Sequence, residues 1–179
     1  MNSSHDTGTL NFYWSQALIE GLVAAGLLRA VISPGSRSTP LALALLRDPG
    51  IRVDVLVDER CAAFFALGIA KASQQPVVLL ATSGTAIANW LPAVVEASQA
   101  SVPLILISAD RPPSLQGLGA NQTIPQCGIF GGFVRATHEL GVPDPDFNSA
   151  YLHALGARIV QQACWPLPGP VHVNQAFHE

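Results

Sequence analysis

The sequence predicts an α/β fold, a doubly wound and mostly parallel six-stranded sheet with helices on both faces. Three observations carry this. Short runs such as "PVVLLAT" and "VPLILIS" are apolar throughout rather than alternating, the pattern of strands buried on both faces of a sheet. These runs alternate with stretches whose apolar residues recur at helical spacing. Six such strands in 179 residues fit one domain of ordinary size, with no internal repeat and no linker between them.

The elements follow in order. Residues 12–28 read as a first helix, with Leu18, Leu22 and Ala25 on one face. A strand at about 30–33 leads to a helix at about 39–47, and a strand at about 53–57 to a helix at about 60–73. A strand at 77–81 precedes a helix at about 86–99. "LILIS" at 104–108 is the next strand, and it opens a Pro- and Gly-rich loop over 110–132. A weaker strand near 134–139, the helix "FNSAYLHALGARIVQQA" and the strand "GPVHVN" complete the chain. Loops as long as 110–132 are uncommon in compact domains and are often functional. Ligands of such sheets sit beyond the carboxyl ends of the strands. That rule puts "SPGSRSTP", "VDER", "TSGTAIAN" and "ADRPPSLQGLGANQ" on one rim.

Composition narrows the partners. Charged residues make up only 12% of the chain, against roughly 25% in ordinary soluble domains. With 49% hydrophobic residues and a mean hydropathy of +0.35, this implies a surface covered in part by partner domains or subunits. A net charge of −3 argues against nucleic acid as the main partner. No apolar run reaches the roughly 20 residues of a membrane span. The polar start "MNSSHDTGTL" lacks the apolar core of a secretory signal. Cys61, Cys127 and Cys164 have neither zinc-site nor CxxC spacing, which suggests reduced thiols in a cytoplasm.

Common motifs fail. "GLGANQ" lacks the last glycine of a dinucleotide fingerprint and does not lie at the first strand–helix turn. There is no GxxxxGK[ST] phosphate loop, "TSGTA" lacks the order of a nucleophile elbow, and the five histidines show no metal-ligand spacing. What remains is a set of polar residues on the rim. Glu59 has two readings: an acid favoured by a helix N-terminus, worth about 0.3–1 kcal/mol, or a partly buried carboxylate aimed at a ligand nitrogen. Arg37 and Arg111 either hold local carbonyls and acids or present guanidinium forks to a small carboxylate substrate. Asn121 and Gln122 are either turn residues or orient a polar substrate.

Taken together, these segments resemble the pyrimidine-binding (PYR) domain of the thiamine-diphosphate enzyme superfamily. A strand, a glutamate and a helix leading into "ALGIAKASQQPVVLLATSGTAIAN" are that superfamily's layout. "PGSRSTPL", "DERCAAFFALGIAK", "TSGTAIANWLPAVVEA", "ISADRPP" and "GANQTIPQ" resemble one branch of it more closely, the synthases that join 2-oxoglutarate to isochorismate in menaquinone biosynthesis. The likeness runs from about residue 10 to "GPVHVNQAF". The layout alone is shared with acetolactate-type synthases and 2-keto acid decarboxylases. A non-catalytic domain of the same fold would have no need of the carboxylate at 59.

The resemblance implies roles. Glu59 would be the catalytic group, hydrogen-bonded to N1′ of the cofactor's aminopyrimidine so that the thiazolium carbon can decarboxylate 2-oxoglutarate. The succinyl carbanion equivalent then adds to isochorismate. Thr82, Ser83, Gly84, Thr85 and Asn89 would line the pyrimidine, and Ser36, Arg37, Arg111, Asn121 and Gln122 would face the substrate. None of them is a metal ligand. Members of the branch are three-domain homodimers or homotetramers that hold the diphosphate and Mg²⁺ on a C-terminal domain with a GDG-type motif, which residues 1–179 lack. The chain is therefore expected to be the N-terminal domain of a larger cytoplasmic enzyme, inactive by itself.

Overall fold

Strands apolar on both sides need cover on both sides, and two sets of helices supply it. The structure, a computed structural model, describes residues 7–178. The chain runs α1 (Thr7–Ala24), β1 (Arg29–Ile32), α2 (Thr39–Arg47), β2 (Arg52–Val55), α3 (Glu59–Ser73) and β3 (Val77–Ala81). It continues with α4 (Thr85–Ala88), α5 (Leu91–Gln99), β4 (Leu104–Asp110), β5 (Ala136–Glu139), α6 (Ser149–Cys164) and β6 (Pro170–Ala176). The strand order is β2-β1-β3-β4-β6-β5, and each neighbouring pair is parallel. The sheet is thus parallel throughout, because the weak strand near 134–139 enters as an edge running with β6.

Successive side chains of each strand go to opposite helical layers, as the pleat requires. Ile32, Val78, Leu80, Ile105 and Val171 pack with α1, α2 and α6. Val31, Val77, Leu79, Leu104 and Leu106 pack with α3, α4 and α5. Strands β3, β4 and β6 are buried along their whole length.

Two predicted helices differ from the observed ones. The first starts at Thr7 and stops at Ala24 rather than running over 12–28. Gly26 takes φ +103°, Leu27 N–H returns to Leu22 O at 3.1 Å, and Gly26 N–H to Val23 O at 2.9 Å. This is the paired-bond ending that a left-handed glycine permits. The helix predicted over 86–99 is two helices, α4 and α5, separated at Asn89–Trp90. Pro92 lies in the first turn of α5, where its missing N–H costs nothing, but it cannot continue α4.

Helices α1 and α6 cross at backbone contact. A Cβ on Gly156 would lie 2.6 Å from Leu22 N and 2.7 Å from Leu18 O, and one on Gly21 would lie 2.4 Å from His153 O. No described helix is long and apolar enough to cross a membrane. The outward side of α3 carries Phe64 and Phe65, 45% and 43% exposed, and the segment before it carries exposed Val55 and Val57.

Candidate functional site

The chain leaves β1 toward β2 on one side and returns to place β3 on the other, so β1 and β3 flank a topological switch point. The loops leaving two such strands separate and open a crevice. Here the crevice is a cleft of about 380 Å³ lined by Pro34–Arg37 after β1, Glu59, Thr82 and Ser83 after β3, Arg111 after β4, and Gln122 from the long loop. Seven of the sequence-predicted residues meet there: Ser36, Arg37, Glu59, Thr82, Ser83, Arg111 and Gln122.

Asp58 caps α3, its carboxylate accepting from Cys61 N–H at 2.8 Å. That bond holds the Asp58 carboxyl below its ordinary range. With the cap supplied by its neighbour, Glu59 is the first residue of the helix and its half-buried side chain faces the cleft. The loop after β1 lies directly on the turn after β3: a Cβ on Gly35 would come within 2.4 Å of Thr82 Cβ. Ser38 Oγ donates to Gly35 O at 3.0 Å and closes the loop on itself. Arg37 Nη1 donates to Phe177 O at 3.0 Å, so one arm of its guanidinium ties the loop to the end of β6.

The other predicted residues are placed differently. Gly84 has φ +77°, and the space where a Cβ would stand is taken by Gln122 Cγ at 2.8 Å. Its N–H donates to Gln126 Oε1 at 2.7 Å. Thr85 and Asn89 are exposed and joined to each other, Asn89 Nδ2 donating to Thr85 O at 3.0 Å. Asn121 is exposed, and its carbonyl accepts from Thr123 Oγ1 at 3.2 Å. None of these four lines the cleft.

A buried polar network beneath the rim escaped the sequence reading. Asn174 satisfies its whole amide: Oδ1 accepts from Ser108 Oγ at 2.8 Å and Gln126 Nε2 at 2.7 Å, while Nδ2 donates to Asp110 at 2.9 Å and Glu139 at 2.8 Å. Ser108 has one proton, and with that proton on Asn174 its contact with His172 Nε2 at 2.8 Å must be a bond donated by the histidine. Burial pushes His172 down to about 4. Burial also pushes the Asp110 carboxyl up, against the bonds it accepts from Asn174 and the Arg111 amide. The available signal was polar residues inside fully buried strands, "ISAD" and "VHVNQ". Such groups persist only when hydrogen-bonded.

The long loop has two anchors. One is Gln126, which besides holding Gly84 and Asn174 donates to Ala109 O at 3.1 Å. The other is Phe130, buried and stacked on Trp90 with centroids 6.3 Å apart and planes at 17°. Among the described residues no group of three His, Cys, Asp or Glu side chains is placed to hold a metal ion.

Comparison with known families matches residues 13–129 to the N-terminal TPP binding domain of thiamine pyrophosphate enzymes. All four rim segments lie inside that range. A 2-succinyl-5-enolpyruvyl-6-hydroxy-3-cyclohexene-1-carboxylate synthase of Dechloromonas aromatica is 66% identical over 97% of this chain and 32% of its own length. The synthases of the same name from Thermobifida fusca and Geobacillus kaustophilus are 52% and 50% identical, over 92% and 93% of this chain and 30% and 29% of their own lengths. The chain spans about a third of the length of the curated relatives it matches.

Proposed function

The chain belongs to the thiamine pyrophosphate enzymes, as their N-terminal TPP binding domain, and on that premise we propose that it forms the pyrimidine half of a synthase joining 2-oxoglutarate to isochorismate. The observation that carries the proposal is the polar cleft at the β1/β3 switch point, with Glu59 in its lining and Arg37 and Arg111 beside it.

The donor set fits the cofactor's aminopyrimidine. It combines a carboxylate that can share a proton with a ring nitrogen, and the hydroxyls of Thr82 and Ser83 on a buried turn. Thiamine diphosphate, when bound, supplies the carbanion-stabilising centre needed to decarboxylate a 2-oxo acid and transfer its remaining carbons. The chain's own residues do the rest. Glu59 holds a proton at the ring nitrogen. Arg37 and Arg111 draw substrate carboxylates to the rim through planar, permanently charged forks. Ser36 and Gln122 supply uncharged hydrogen-bonding groups beside them.

The diphosphate and its Mg²⁺ are held, in this proposal, by a further domain of the same enzyme, and the relatives' greater length supports this. Exposed Phe64, Phe65, Val55 and Val57 are apolar surface of the kind such a domain or a second subunit would cover. The test replaces the matched third of the Dechloromonas aromatica synthase with this chain. The hybrid is then assayed with 2-oxoglutarate plus isochorismate, and with pyruvate. Turnover of the first pair is expected. Turnover of pyruvate alone, or no turnover by a hybrid that folds and binds thiamine diphosphate, overturns the proposal.

A further inference from the structure

Between residues 113 and 129 one side chain is buried, that of Gln126, at 1% exposure. The rest of this stretch is exposed or half-buried. Gln126 spends its whole amide on three separate pieces of the molecule. Its Oε1 accepts Gly84 N–H at 2.7 Å, from the turn that presents Thr82 and Ser83 to the cleft. Its Nε2 donates to Ala109 O at 3.1 Å and to Asn174 Oδ1 at 2.7 Å, at the ends of β4 and β6. Four residues earlier, Gln122 enters the same cleft in a left-handed conformation, φ +55°. It is bound to the same turn in both directions: Ser83 Oγ donates to Gln122 O at 2.9 Å, and Gln122 Nε2 to Ser83 O at 3.0 Å.

These bonds have a consequence for Gly84. Its N–H is already engaged and its open face is filled by Gln122, so it serves the site through its shape and not as a donor to a ligand. They also have one for Gln122. Its own pair of bonds with Ser83 is half-buried: Ser83 is buried, but Gln122 lies at the exposed edge of the loop, where water competes for it. The buried, fully satisfied bonds are those of Gln126, and these resist opening.

We propose that Gln126 is a positioning residue that fixes the register between the Thr82–Gly84 turn and the Gln122 segment, and so couples the cofactor side of the cleft to its substrate side. Whatever settles against Thr82 and Ser83 thereby steadies Gln122 for the second ligand, and the reverse holds equally by linkage.

Hydrogen exchange and proteolysis on this chain test the register without any activity. In Gln126→Met, the amide of Gly84 is expected to exchange at least tenfold faster and subtilisin to cleave within residues 117–124 at least tenfold faster, while the amides of Leu79 and Leu80 inside β3 keep their rates. Equal acceleration at all of these sites, or none at Gly84, overturns the proposal. Gln122→Ala, a change at an exposed side chain, keeps the test decisive even where Gln126→Met does not fold. It should speed subtilisin cleavage within residues 117–124 and leave the Gly84 amide protected. Release of Gly84 to the same extent would show that Gln126 is not its anchor.

A second arm rests on the function proposed above. In the hybrid synthase, Gln126→Met is expected to raise KM for isochorismate about tenfold with kcat within threefold. It should add nothing in a Gln122→Ala background, because the two act through one another. Additive effects overturn the coupling. A hybrid inactive before any substitution refutes the functional proposal alone, since the exchange arm still decides the role of Gln126.

Discussion

Glu59 sits at the first position of α3 with its cap already provided by Asp58, and that division of labour distinguishes the two carboxylates. Asp58 is spent on the helix, whereas Glu59 is left to the cleft. Glu59→Gln in the hybrid synthase should lower kcat by about 10²-fold or more, the usual scale for loss of a proton-transferring group, without moving the unfolding midpoint. A kcat within threefold of the parent would return Glu59 to a helix-terminus role. His172 makes a different prediction. Its folded value, about 4, lies below its ordinary 6.5, so the unfolded chain takes up the proton first as pH falls. The stability it confers is complete above about pH 6.5 and drains away as pH falls toward 4. Between pH 7 and pH 5 the loss should be about 2 kcal/mol. Asp110, raised by burial, acts with the opposite sign in acid. The His172 share is therefore read as the difference between the parent and His172→Gln in how unfolding free energy, measured by urea titration, changes with pH. Parallel pH profiles would refute it.

Among the elements, the crossing of α1 and α6 has the least slack. Two glycines, Gly21 and Gly156, bring the helix backbones into contact, so an added methyl meets backbone and not a side chain that can swing away. Gly156→Ala should therefore cost about 1–3 kcal/mol by overpacking, although alanine is the better helix former. An unchanged or raised urea midpoint would mean the helices separate freely. Element order and type were readable beforehand, because β3 and β4 are apolar on both faces and the helices between them keep their period. The boundaries that moved did so for local reasons. Gly26 ends α1 through a left-handed turn, and Pro92 divides a continuous apolar pattern into α4 and α5, which periodicity alone does not register. The rim of the cleft was likewise readable from "SPGSRSTP", "VDER" and "TSGT", each at a strand end. Gln126 was not, since a glutamine in a polar loop carries no sign of burial until the fold places it over Asn174. For the same reason the internal bonds of Gly84 are not visible in the sequence. Its engagement by Gln122 and Gln126 depends on how a distant loop folds back.

For the molecule as a whole, the sheet builds one wall of a site, and in the function proposed above the other walls come from a further domain or subunit. The cleft holds a carboxylate, two arginines and several hydroxyls, a set suited to a heteroaromatic ring and to anionic substrates. Thiamine diphosphate should therefore bind this chain only weakly. Calorimetry of residues 1–179 with the cofactor and Mg²⁺ is expected to show no saturable heat in the micromolar range. Micromolar binding would mean that the diphosphate has a home within this chain. The sparse charge of the sequence and the exposed phenylalanines of α3 agree with a surface made to be covered.

The stack of Phe130 on Trp90 has a practical consequence. The tryptophans fall into two classes of hydration: Trp90 is fully buried and Trp14 nearly so, whereas Trp165 is 68% exposed. Indole emission moves to longer wavelength as water reaches the ring, so the two buried rings should emit at shorter wavelength than Trp165. Trp90, pressed under the loop's far anchor, is expected to emit with the short-wavelength pair. Lifting of that loop would redden this component and leave the Trp165 component where it is. The chain thus carries an intrinsic optical gauge of whether the long loop is seated, with no label attached.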